Sequence, residues 1–123
     1  MSTPSRRRWL HTALAASGLA LLRQVLAQQG PAPRIITMSA RRFAYEPREI
    51  PLKRGERVVI EIRSIDFVHG MNIPDLKLRL DLVPGQVTRF ELAPDKAGTI
   101  EFLCDNFCGD GHEQMQGRFV VSA

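Results

Sequence analysis

An all-β sandwich of seven to eight short strands is the fold this sequence predicts, and three observations predict it. From Gln28 to Ala123 apolar and polar residues alternate along short runs. Turn pairs rich in proline and glycine separate those runs. No window in that stretch keeps the period of an amphipathic helix.

The runs follow one another in order. Gln28 to Arg34 holds two prolines and a glycine and reads as a linker, so the domain is expected over 35–123. Arg34 to Ser39 opens the sandwich as a β-branched stretch. Phe43 and Tyr45 alternate before Pro47, and Ile50 and Leu52 before the Arg54–Gly55 turn. Val58, Ile60 and Ile62 share one face of a strand, with Glu61 and Arg63 on the other. Leu78, Leu80 and Leu82 alternate with Arg79 and Asp81 ahead of Pro84–Gly85. Phe90 and Leu92 oppose Arg89 and Glu91. Ile100 and Phe102 repeat the pattern after Ala97–Gly98, and Phe119 with Val121 closes the chain. Hydrophobic-in, polar-out alternation of this kind fits antiparallel sheets with one solvated face.

Composition narrows the class. At 123 residues the chain has room for one small domain, and 44% apolar with 24% charged residues excludes a disordered or collagen-like chain. A net charge of +4 raises nucleic acid as a partner, but the position of the charge removes it. Four of the 17 basic residues, Arg6, Arg7, Arg8 and Arg23, stand before Arg34, and none of the 13 acidic residues does. From Gln28 onward the two signs balance. The basic segment itself has the parts of an export leader: a charged start, the apolar run Ala13 to Leu22, and small residues at Val25-Leu26-Ala27. Paired arginines before Trp9-Leu10 are similar to a twin-arginine signal. A leader of 1–27, cut after Ala27, is expected to deliver the domain to the periplasm. The alternative of an uncleaved anchor meets Arg23, which breaks the apolar run short of the roughly 20 residues a span needs.

The rare residues gather on one loop. The segment from Cys104 reads Cys-Asp-Asn-Phe-Cys-Gly-Asp-Gly-His-Glu-Gln-Met, which spaces Cys104, Cys108, His112 and Met115 as Cys-x3-Cys-x3-His-x2-Met. His69 lies far back, at the end of another expected strand. Thiolate, imidazole and thioether form a soft set that suits copper. Strand phase adds to this, because Ile100, Phe102 and Cys104 point to one face and send Cys104 toward the core end of the sandwich. Three other readings compete. A Cys104–Cys108 disulfide suits an oxidising compartment but leaves His69, His112 and Met115 as coincidence. A structural zinc site has no use for methionine. Met115 taken alone is core filler. A single blue-copper ion would leave one cysteine over, whereas two ions sharing both sulfurs use each of them.

The segment resembles the binuclear copper domain, CuA, of cytochrome c oxidase subunit II, found also in nitrous-oxide reductase. Asp66-Phe67-Val68-His69, Ile73-Pro74 and Val83-Pro84-Gly85 stand at matching stations, and the likeness runs from about Phe43 to Val121. It implies a cupredoxin-like Greek-key sandwich. It also implies that Cys104 and Cys108 bridge two coppers, that His69 and Met115 complete one ion, and that His112 with the backbone carbonyl of Asn106 completes the other. Asn106 stands where the family often has Glu. The carbonyl role survives that change, whereas the magnesium contact of the Glu side chain is not carried over. Two further departures are that no two-helix membrane hairpin is present, and that the family's electron-entry tryptophan has no counterpart, since Trp9 lies in the leader.

The function expected is single-electron transfer, with a cytochrome c or a haem-copper oxidase core as partner and no turnover by this chain alone. A copper carrier delivering metal to an oxidase is the rival, and a metal-free module held by a disulfide the third reading. Asp105, Asp110 and Glu113 stand on the site loop with no basic residue between Cys104 and Gln116, which reads either as an acidic patch that steers a basic donor or as three solvated acids on an exposed loop.

Overall fold

The computed structural model describes residues 30–123; the leader read at 1–27 lies outside them. Pro33–Ala123 forms one unit, built from nine strands and two single-turn 3-10 helices. The strands are β1 (Arg34–Arg41), β2 (Ala44–Glu46), β3 (Glu49–Lys53), β4 (Val58–Ser64), β5 (His69–Ile73), β6 (Leu78–Leu82), β7 (Val87–Leu92), β8 (Gly98–Leu103) and β9 (Gln116–Ser122). The helical turns are Pro74–Leu76 and His112–Gln114.

Two sheets pack face to face. One has the order β2-β1-β4-β7, the other β3-β9-β8-β5-β6. The alternating residues meet between them, as the pattern requires: Ile50, Leu52, Val58, Ile60, Ile62, Phe102, Phe119 and Val121 are all buried. Tyr45 meets Phe102 edge-on at 5.1 Å between ring centres, and Phe102 meets Phe119 at 5.0 Å. Such pairs add about 0.5–1.5 kcal/mol each beyond the area they bury. Gly117 on β9 is glycine because the Phe102 ring occupies the place of a side chain, 2.5 Å from where a Cβ would stand.

Four expectations need correction. The sandwich is mixed, not antiparallel: β1 runs parallel to β4 and β3 parallel to β9. After the β1–β2 hairpin the chain crosses to the other sheet as β3, and on its return β4 lies beside β1 running in the same direction. The count is nine because β5 is a strand of its own, with His-Gly-Met-Asn-Ile buried at every position but Asn72. A run enclosed on both faces shows no alternation. His69 accordingly begins a strand, pairing with Leu82, and does not end one. At the other boundary β1 starts at Arg34, the last residue of the stretch read as linker.

Candidate metal centre

β8 runs antiparallel to β5 and its last residue, Leu103, pairs with Asn72 near the end of β5. The chain beyond β8 therefore heads back along β5 toward His69, which brings Cys104 within reach of that ring. The chain from Cys104 then loops over this end of the sandwich and returns as β9. Cys104 closes that loop on itself, its N–H donating to the Met115 carbonyl at 3.0 Å. Inside the loop, Gly109 and Gly111 hold φ of +136° and +108°, and the Phe43 ring packs beside both.

His69, Cys104 and Cys108 are buried, and their donor atoms all lie within 4.8 Å of one another. The His69 ring is oriented by Asp66, whose Oδ1 lies 2.8 Å from Nε2. That contact leaves Nδ1, which is fully buried and has no hydrogen-bond partner. A buried nitrogen without a partner costs about 1–3 kcal/mol, so this atom is placed for something else. Asn106 contributes through its backbone: its carbonyl accepts from the Cys104 thiol at 3.2 Å. The Asn106 side chain points the other way and donates to the Val68 carbonyl at 2.9 Å, tying the loop to the residue before His69. His112 joins through Cys108, with Nδ1 3.7 Å from Sγ. Met115 is buried at 1% exposure and caps the turn His112–Gln114 through its N–H.

A family model described as the cupredoxin-like domain matches residues 12–121. Over 98 residues the chain is 30% identical to cytochrome c oxidase subunit 2 of Thermus thermophilus, which takes in 80% of this chain and 73% of that protein. The chain belongs to the cupredoxin-like domain family, among the relatives of oxidase subunit 2. It is also 36% identical over 78 residues to the alternative cytochrome c oxidase subunit 2 of Bradyrhizobium diazoefficiens, covering 63% of this chain but only 28% of that relative's length. Among solved structures, the periplasmic domain of subunit II of the cytochrome oxidase of Bradyrhizobium japonicum shares the fold. Its TM-score is 0.68 at 16% identity, over 76% of this chain and 86% of that one. Among the described residues, no helix is long and apolar enough to cross a membrane.

The electrostatics of this cupredoxin-like site follow from burial. Burial pushes the Cys108 thiol pKa up, the neighbouring Cys104 adds to that push, and the Arg42 guanidinium opposes it. Tyr45 stays protonated: burial raises its pKa, and Cys104 and Asp105 raise it further. Its hydroxyl therefore donates, to the Gly70 carbonyl at 2.6 Å, and fixes the strand next to His69. Burial pushes Asp66 upward too, but the N–H of Arg42 and the His69 ring more than offset this and hold its carboxyl below the usual range.

Two arginines belong to the site that the sequence did not connect to it. Arg79 on β6 donates through Nε to Asp105 at 2.8 Å and through Nη1 to Asp81 at 2.7 Å. One of the three loop acids is thus already paired, and only Asp110 and Glu113 remain of the patch. The Asp105 carboxylate rests directly over Gly70, where a Cβ would collide with it. Arg42 donates through Nε to the Cys108 carbonyl at 2.7 Å. No spacing rule links either arginine to the loop, since both arrive by the packing of distant strands.

Proposed function

We propose that this domain carries a binuclear copper centre of the CuA type and passes single electrons in the periplasm. The single observation that carries the reading is the clustering of His69, Cys104 and Cys108, with donor atoms all within 4.8 Å of one another, on a His69 ring whose buried Nδ1 has no hydrogen-bond partner. The donor set fits the group. Thiolates and imidazoles are copper ligands, and a buried, mostly apolar surrounding keeps water from the sulfurs. Cys104 and Cys108 would each bind both ions, with His69 and Met115 on one and His112 and the Asn106 carbonyl on the other. When bound, the copper pair accepts and releases one electron shared between its two ions.

The protein's own part is to hold still. The ligands come from two segments locked to one another by Asn106 to Val68 and by Cys104 to Met115. Asp66 engages Nε2 of the His69 ring, which leaves Nδ1 as the nitrogen free to serve as a ligand. Ligands fixed in this way keep their geometry on reduction, which lowers the barrier to electron transfer. Oxidase subunit 2 relatives favour a haem-copper oxidase core or a cytochrome c as redox partner.

Cys104→Ser and Cys108→Ser test the assignment. Each is expected to lose the two-copper centre and its intense colour, keeping at most one ion. Either variant retaining two coppers with an unchanged spectrum would overturn the ligand set.

A further inference from the structure

Two chain segments meet at the metal centre, Asp66–His69 at the entry to β5 and the loop from Cys104 to Met115. A third, Arg42–Phe43 between β1 and β2, touches both. The Arg42 N–H donates to Asp66 Oδ2 at 2.9 Å, while Oδ1 of the same carboxylate holds the His69 ring at 2.8 Å. The Arg42 side chain reaches the opposite arm, where Nε donates to the Cys108 carbonyl at 2.7 Å. Its guanidinium lies 4.5 Å over the Phe67 ring, which belongs to the first arm again. Phe43 completes the contact. A Cβ at Gly109 or Gly111 would meet its ring at 3.2 Å or 3.0 Å.

We propose that Arg42 is a positioning residue for the metal centre, clasping the Cys108 arm to the Asp66–His69 arm and setting a positive charge beside Cys108. The inference rests on the copper reading above. The side chain's partners there are a carbonyl oxygen and an aromatic face, neither of which carries a charge. A fixed cation at that place favours the state of the centre with one more electron. Arg suits both tasks, since a planar guanidinium stacks and donates at once and an ammonium does not. The main-chain bond to Asp66 survives any side-chain substitution here except proline, so the side chain can be tested alone.

Arg42→Met keeps bulk without charge or donor, and Arg42→Lys keeps the charge alone. In metal-free protein the rate of iodoacetamide alkylation at Cys108, compared at the high-pH plateau where the thiol is ionised with or without the Arg42 charge, is expected to rise about tenfold in Arg42→Met, the loss of one charge-assisted bond. In copper-loaded protein, competition with a chelator should show the dissociation constant rising about 10–100-fold, as for other residues that orient metal ligands. The reduction potential should fall in Arg42→Met and hold in Arg42→Lys, a separation that a merely structural residue would not give. Wild-type alkylation, copper affinity and potential in both variants would overturn the clasp. Wild-type protein that takes up no copper would overturn the copper reading and the charge's part in the potential, while alkylation still decides the clasp.

Discussion

Asp66→Asn isolates the carboxylate that orients His69. Both oxygens of Asp66 are in use, Oδ2 by the Arg42 N–H at 2.9 Å and Oδ1 by His69 Nε2 at 2.8 Å. An amide has one oxygen and one NH2, so whichever way the substituted side chain turned, one of the two N–H donors would face another donor. If the amide nitrogen faced His69, the ring would change tautomer and move its proton to Nδ1, the nitrogen proposed as the metal ligand. If it faced Arg42, a backbone N–H would be left unpaired. Either outcome costs about 1–3 kcal/mol, at the lower end because the Asp66 side chain is 33% exposed. The metal-free variant should therefore unfold at a lower urea concentration by that amount. Copper affinity should fall by about 10–100-fold, the usual effect of losing a ligand's orienting partner. Urea titration of the metal-free protein and chelator competition of the loaded one read the two losses separately. Wild-type copper affinity in a folded Asp66→Asn protein would refute the role given to Asp66.

Met115→Leu keeps volume and apolar character, so the variant should still bind two coppers, with a raised reduction potential measured by voltammetry; His69→Ala should instead lose copper occupancy by metal analysis. Gly117→Ala places a Cβ 2.5 Å from the Phe102 ring and 2.6 Å from the Arg48 carbonyl oxygen. Phe102 is wedged between Tyr45 and Phe119, so overpacking should cost about 1–3 kcal/mol in urea unfolding. Glu56 has its carboxyl held below the usual range, first by the Lys53 N–H and then by Arg34, against the pull of burial. A depressed carboxylate stabilises above its unfolded pKa and ceases to do so as pH falls through the folded one. Glu56→Gln should thus lower the urea midpoint at neutral pH, and the difference from wild type should shrink as pH falls below the ordinary glutamate value of about 4.3 and vanish only below the depressed pKa of Glu56 itself.

Much of the fold was legible where strands have one wet face. β4 and β9 announce themselves through Val58, Ile60, Ile62 and Phe119, Val121, which alternate with polar residues and are buried in the structure. Alternation says which face is inward but nothing of strand direction. The sheets, expected to be antiparallel, are mixed, with β1 parallel to β4 and β3 parallel to β9. β5 escaped because enclosure on both faces erases the period. At the site, Cys104, Cys108, His112 and Met115 were legible because one loop carries them at fixed spacing, and the strand phase of Ile100 and Phe102 correctly sent Cys104 inward. Arg42, Arg79 and Tyr45 carry no such signal. Each acts across the fold, on Cys108, Asp105 and Gly70 respectively, and only the packed sandwich brings those partners together.

The central claim is that two coppers share the Cys104–Cys108 pair, and the measurement that tests it most directly is electron paramagnetic resonance on copper-loaded protein of known metal content. The account expects two coppers per chain and one unpaired electron whose hyperfine coupling divides equally between two copper nuclei. One copper per chain with coupling to a single nucleus would contradict it.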